Sequence, residues 1–299
     1  TDYVDLTGEV QWIRAMIQKY ESQAQTSGAR IVHCCGFDSI PSDLGVHFVQ
    51  QQAEGQFGTP CNRIKMRVKA MKGTFSGGTV ASMLNIAQEA AKDKELRKIL
   101  ADPYALCITN AVSDTRQPNV AAAEYDADFD AWLAPFVMGS INTRVVHRSN
   151  CILKGAYGKD FQYDEAVITG KGTKGRLGAY GMAAGLGGFM VGAAMKPTRW
   201  VMEKFFLPAP GEGPSPEAQE KGFFDIRFYG KTEKGDEIRA KVTGDKDPGY
   251  GSTAKMISES AICLAKETPK ESKPGGFWTP STIFGDTLVE RLKEKAGLT

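Results

Sequence analysis

Arg30-Ile-Val-His-Cys-Cys-Gly-Phe-Asp-Ser-Ile-Pro-Ser-Asp-Leu-Gly45 decides how this chain is read. The apolar run Ile31 to Cys35 predicts a short, fully covered strand. It breaks at Gly36, and the chain becomes helix-compatible over 41–53. Strand, glycine turn and helix start make the unit from which α/β ligand sites are built. The turn lies off the carboxyl end of the strand, and the free N–H groups of the helix start point at the same place. The stretch is therefore expected to form one wall of a cofactor cleft. Ser39 as an N-cap and Asp43 as an acid favoured by the helix dipole explain the same residues structurally.

Working outward, residues 3–28 predict a turn and a helix. Thr7 or Gly8 can cap it, Glu9 suits its first turn, and Val10, Ile13, Ile17, Tyr20 and Ala24 share one face. Gly28 ends it. A helix returning to a short apolar strand is the logic of a parallel βαβ sheet. The polar, glycine-bearing link from Glu54 to Cys61 marks a boundary. Beyond it, Ile64 to Ala70 alternates apolar and basic, which predicts a half-exposed strand. A helix is expected from Val80 to about Leu100, an apolar patch at Trp132–Met138 and a strand pair or hairpin over Tyr157–Thr169. Strands at 223–229 and 237–243 are joined by a Lys-Gly-Asp turn. The helix at 252–266 should turn Ala254, Ile257, Ala261, Leu264 and Ala265 inward, and a last helix runs from Thr282 to Lys295. The fold class is α/β: the tail of a Rossmann-type parallel-sheet domain at 1–55, then a larger α+β domain with a mainly antiparallel mixed sheet at 56–299, its last helices able to pack back on the first.

A net charge of +2 over 299 residues gives no reason to expect nucleic acid as a partner. The six cysteines form no CxxC pair and no grouping with the three histidines, so no metal site is expected and free thiols in a reducing compartment fit best. No Ser/His/Asp triad can be assembled from spacing. The chain opens on Thr-Asp-Tyr-Val-Asp-Leu, which reads like a strand end in mid-fold, so an N-terminal portion is expected upstream. A literal GxGxxG at 170–175 lacks the acid about 20 residues on that a dinucleotide site needs, and a flexible basic loop is the expectation there.

Leu177 to Met195 has no charge in 19 residues and is flanked by Lys171, Lys174 and Arg176 on one side and Lys196 and Arg199 on the other. As a helix it would span roughly 28 Å at about 1.5 Å per residue. Its glycine spacing permits close helix approach, while its Gly/Ala content weakens any drive to insert. A buried helix or dimer interface, a membrane or lipid contact, and a true span all remain open. Trp200 and the Phe-Phe-Leu at 205–207 extend the apolar surface.

Several stretches together resemble the saccharopine dehydrogenase-like oxidoreductases, in the branch holding the trans-acting enoyl reductases of mycobacterial lipid synthesis and a eukaryotic lipid-droplet member. They are Thr1–Glu9, Cys35–Gly45, Ser76-Gly-Gly-Thr79, Ile141–Asn150, Leu207–Pro214, Asp247-Pro-Gly-Tyr250 and Gly275–Pro280, in order along the chain. The free thiols make a cytoplasmic protein the expectation, and the apolar 177–207 segment a peripheral contact to a membrane or lipid droplet. The resemblance implies an NAD(P)-dependent enzyme acting on an enoyl or other lipid-linked substrate, and a homodimer. It implies that the pyrophosphate-binding glycines lie upstream of Tyr3, so this polypeptide alone should not bind NAD(P) tightly. By the same resemblance Asp5, Thr7, Gly8, Gly36, Phe37, Asp38 and Ser39 would border the nicotinamide end. Ser76, Gly77, Gly78, Thr79 and Arg144 would face the substrate. Asp38 and Ser39 are the candidate catalytic groups, with backbone N–H groups of the 36–43 turn able to stabilise developing charge. The competing expectation is a non-catalytic lipid-surface or dimerisation module.

Overall fold

The computed structural model describes residues 1–73, 77–108, 113–205 and 213–299. Two sheets share one hydrophobic core. The smaller is parallel and three-stranded: β1 (Asp2–Val4), β2 (Arg30–Val32) and β9 (Gly276–Trp278), in that order. Its third strand comes from near the end of the chain. Helix α1 (Val10–Ser27) connects β1 to β2 and buries Val10, Ile13, Ile17 and Ala24, as its periodicity predicts. Gly28, at φ +72°, closes it with an N–H to the carbonyl of Ala24, a left-handed cap that favours glycine. Neither Thr7 nor Gly8 caps α1: the N-cap is Glu9, without a side-chain bond to the helix.

Arg30 holds this layer together. Its guanidinium is buried, forks onto both carboxylate oxygens of Asp2 at 2.9 and 2.7 Å, and donates to the carbonyls of Leu264 and Thr268. These carbonyls belong to the end of α9 (Thr253–Lys266) and the residues after it. Every donor used is matched by a fixed acceptor, which is what makes a buried guanidinium tolerable.

The strand at the centre of the opening stretch is shorter than expected, because Cys34 adopts φ +61° and turns the chain. Helix α2 (Ile40–Phe57) then runs with its first seven residues all buried. Pro41 suits its first turn, where no intrahelical N–H is needed. It ends at Gly58, so the 54–61 link is largely helix. A Cβ on Gly45 would lie 2.4 Å from the Phe228 ring, so glycine lets the helix sit on the second sheet.

That sheet is six-stranded, in the order β4 (Glu124–Asp126), β5 (Ala131–Pro135), β6 (Gln162–Gly170), β3 (Cys61–Lys72), β7 (Phe223–Thr232) and β8 (Glu237–Gly244). Only β3 and β6 run parallel. The hairpin β7–β8 forms where predicted, with Gly235 at φ +94° in the turn. Residues 157–169 are not a strand pair: a loop leads into β6 alone. Strand β3 is not half-exposed in the simple sense either. Ile64, Met66 and Val68 are buried as expected, but so is Arg67, which pairs with Asp126 at 2.8 Å and Asp164 at 3.1 Å. Asp164 of the adjacent β6 and Asp126 of the edge strand β4 cover the basic side chain that alternation alone would leave in water.

Four further expectations are corrected. The helix after residue 77 is two, α3 (Gly77–Lys92) and α4 (Lys94–Ala101), because Asp93 accepts from the N–H groups of Glu95 and Leu96 and starts a new helix. The last helix is also two, α10 (Pro280–Phe284) and α11 (Asp286–Ala296), divided at Gly285. Helix α9 buries Met256, Ser260, Cys263 and Leu264 and leaves Ala254, Ala261 and Ala265 exposed. Cys107 and Cys151 form a disulfide, whereas Cys34, Cys35, Cys61 and Cys263 are free and buried.

Candidate active site

The cleft lies off the carboxyl ends of β1 and β2, where open parallel sheets place ligands. It encloses about 690 Å³ and takes residues from six places, the end of β3 with Met71 and Gly73 among them. The loop after β1 brings Asp5, Thr7, Gly8 and Glu9; the turn after β2 brings Phe37 and Asp38. The start of α3 supplies Gly78, Thr79, Ser82 and Met83, and the turn into α5 (Gly139–Ile152) supplies Phe136 and Met138. Pro248 to Thr253, a wide helical turn leading into α9, closes the remaining side.

Asp38 sits in this largely apolar recess and no basic side chain among the described residues lines the cleft. Burial, with the Glu9 carboxylate adding to it, pushes Asp38 up to about 7. Asp5 goes the other way. Burial works to raise it, but the imidazole of His33, with Nδ1 2.7 Å from Oδ2, and the N–H of Thr7 outweigh that and hold it below the ordinary carboxylate range. One cleft thus carries a carboxyl that keeps a proton near neutrality and a carboxylate that does not, the separation expected of an acid and its electrostatic neighbour. His33 serves that role from a buried position among Tyr3, Trp12 and Phe277. Glu9 is tied down by the hydroxyls of Thr7 and Ser82.

Of the residues expected here, Asp5, Thr7, Gly8, Phe37, Asp38, Gly78 and Thr79 line the cleft. Ser39 does not. It is fully buried at the N-cap position of α2, as expected, but its hydroxyl donates to Asn142 Oδ1 at 3.1 Å, so it makes no side-chain cap bond and does not reach the cleft. Gly36 is packed behind the turn, where a Cβ would meet Leu6 at 2.7 Å and Thr253 at 3.0 Å. Gly77 is buried behind the start of α3. Ser76, like Phe206 and Leu207 of the apolar tail, lies outside the described residues. Arg144 is elsewhere: it lines a second cavity of about 580 Å³ and donates to the Leu100 carbonyl and the Thr143 hydroxyl.

That second cavity shares Phe136, Val137 and Ser140 with the cleft. Behind the shared wall Glu165 is fully buried, pushed up to about 7 by that burial, and accepts from Tyr163 and Asn142. Asn142 therefore connects Glu165 to Ser39 and through it to the turn of the opening stretch. Asp43 is buried as well and pushed up to about 6, holding the Ser149 hydroxyl and the Ser281 N–H. Sequence reasoning missed Glu9, Trp12, Met71, Met83 and Phe136 as cleft residues. Glu9 had a signal, an acid four residues after Asp5 on the same connection; the apolar ones had none.

The fold and cleft define an α/β protein whose ligand site, at the ends of parallel strands, pairs an apolar chamber with a protonatable carboxyl. Comparison with known proteins supplies the family. The chain is 37% identical over 304 residues to a Mycobacterium tuberculosis protein provisionally named a trans-acting enoyl reductase. It is 34% identical over 312 residues to the trans-acting enoyl reductase of Mycobacterium bovis, and 34% over 308 residues to that of Mycobacterium ulcerans. Each match covers 98% of this chain and 72% of the relative. The chain belongs to the trans-acting enoyl reductase family. No protein-family model matches it.

Proposed function

We propose that the protein is an NAD(P)-dependent oxidoreductase of the saccharopine dehydrogenase-like group that reduces an enoyl or related lipid-linked group, with Asp38 as its proton donor. The observation that carries this reading is the Asp38 carboxyl, held near a neutral pKa in an apolar cleft at the strand ends. Reduction of an activated double bond needs a hydride at one carbon and a proton at the other. A nicotinamide cofactor supplies the hydride when bound. Asp38 supplies the proton, since a donor whose pKa lies near the working pH transfers it best.

The cleft suits one end of such a cofactor. Its described lining holds three carboxyl groups, Asp5, Glu9 and Asp38, and no Lys or Arg, which fits an uncharged or cationic ring and its ribose rather than a pyrophosphate. Asp5, Thr7 and Gly8 would hold that end, Phe37 would flank the ring, and Gly78 and Thr79 would face the substrate. The test is made on the protein as its gene encodes it. NADPH or NADH should raise its melting temperature and be consumed in the presence of a 2-enoyl thioester. If neither nucleotide does either, the reading is abandoned.

A further inference from the structure

Helix α6 (Gly172–Ala194) carries no charge from Leu177 onward, yet only one stripe of it is covered. Gly175, Ala179 and Ala193 are buried and Ala183, Leu186 and Phe189 half-buried, a single face at helical spacing. The rest looks outward: Leu177 is 68% exposed and Val191 63%, and Trp200, on the following helix α7 (Lys196–Phe205), is 57% exposed. A surface helix of a soluble protein ordinarily carries charge on such a face. Contiguous apolar exposure on this scale marks an interaction site.

The covered stripe is anchored at both ends. The GxGxxG is not a flexible loop but a tight strand-to-helix turn, in which the Thr169 hydroxyl donates to the Gly175 carbonyl at 2.8 Å and a Cβ on Gly175 would meet the Gly170 carbonyl. At the other end Ala193 packs with Val80, Leu84 and Ala87 of α3. A helix held this way lies along the protein and does not span a bilayer. Over α6 and α7 there are five cations, Lys174, Arg176, Lys196, Arg199 and Lys204, against one acid, Glu203, and of these Arg199 is turned onto Gln88 of α3. They stand at both ends of the apolar stretch. A second copy of the chain paired on α6 would bring cations against cations in either orientation. A leaflet with acidic headgroups brings apolar depth and opposite charge together.

We propose that the outer face of α6 and α7 docks on the surface of an anionic bilayer, with α6 lying in the plane of the interface. The opposite face of α6 supports this placement, because Ala183, Leu186, Gly187 and Met190 line the second cavity, which shares its wall with the candidate active site. Docking would set that cavity against the lipid. The inference does not depend on the reductase reading, and its test needs no turnover.

The protein is floated with phosphatidylcholine vesicles with and without phosphatidylglycerol. It should bind the anionic vesicles and be released by salt. Leu177→Asp with Val191→Asp should weaken that binding about tenfold or more, since each side chain would lose its transfer out of water. Lys174→Glu with Lys196→Glu should abolish the preference for phosphatidylglycerol. All four side chains are exposed, so both double variants should keep the wild-type melting temperature. Three results would overturn the proposal: no binding to anionic vesicles, binding unchanged in the Leu177/Val191 variant, or a dimer in solution that this variant splits while wild-type protein ignores lipid.

Discussion

Replacing Asp38 by Asn separates what this group does for the reaction from what it costs the fold. The carboxyl moves from the ordinary 3.8 to about 7 on folding. Three units correspond to roughly 4 kcal/mol of penalty for ionising it in place. Water at the mouth of the cleft screens part of that, so we expect about 2 kcal/mol. The sign follows from proton binding. Between about pH 4 and pH 7 the folded state holds a proton that the unfolded state has lost, so this group makes stability fall as pH rises through that window. The amide removes the dependence. At about pH 8 the Asp38→Asn variant should be the more stable by roughly 2 kcal/mol, about 4 °C in melting temperature, and the advantage should vanish by about pH 4. Glu165 and Asp43 are also raised, but they are common to both proteins and cancel in the difference. Activity should move oppositely. Wild-type kcat/KM should fall tenfold per unit above about pH 7 as the donor is lost, while the variant should lose about 100- to 1,000-fold at low pH and show no such limb. Paired melting curves and pH–rate profiles of the two proteins decide the matter. A variant that is destabilised at high pH, or that keeps the wild-type rate and limb, refutes the assignment.

Arg67→Met should cost about 2–3 kcal/mol in a urea titration, because the buried carboxylates of Asp126 and Asp164 lose their common cation and keep only Lys65 and Arg63 respectively. Gly45→Ala should cost about 1–3 kcal/mol by pressing a methyl into Phe228, and Phe228→Leu in the same chain should recover part of it. Opening the Cys107–Cys151 bridge, which joins residues 44 apart, should lower stability by about 4 kcal/mol. The Cys107→Ser/Cys151→Ser variant should match the wild type measured under reductant; a reductant effect that persists in the variant would show another cause.

The stretch from Arg30 to Gly45 was legible because strand, turn and helix start are local events. A short apolar run, a break and Pro41 are enough to place Asp38 at a strand end. The same locality explains α1 and the β7–β8 hairpin, whereas Asp5, Thr7 and Gly8 were expected at the cleft from the family resemblance alone. Ser39 shows the limit. A hydroxyl at a helix start can cap, bind a ligand or be used by a neighbour, and that neighbour, Asn142, is 103 residues away. Arg67 shows it again, since periodicity marks which face a side chain leaves by but not whether Asp126 and Asp164 will cover it. The Ile141–Asn150 motif was visible as letters only; in α5 it buries Asn142, His147, Arg148, Ser149 and Asn150, a polar face that no hydrophobic pattern announces.

By itself, then, the sequence determined the α/β class, the position of the strand-end turn and the chargeless length of 177–195, all properties of near neighbours in the chain. Tertiary structure alone decided that Asp38 and not Ser39 faces the cleft, that β9 completes the parallel sheet, and that α6 is pinned along the surface with its apolar side outward. Those outcomes depend on burial and on which distant groups meet. Burial raises a carboxyl or consumes a hydroxyl only once the partner elements have closed around it.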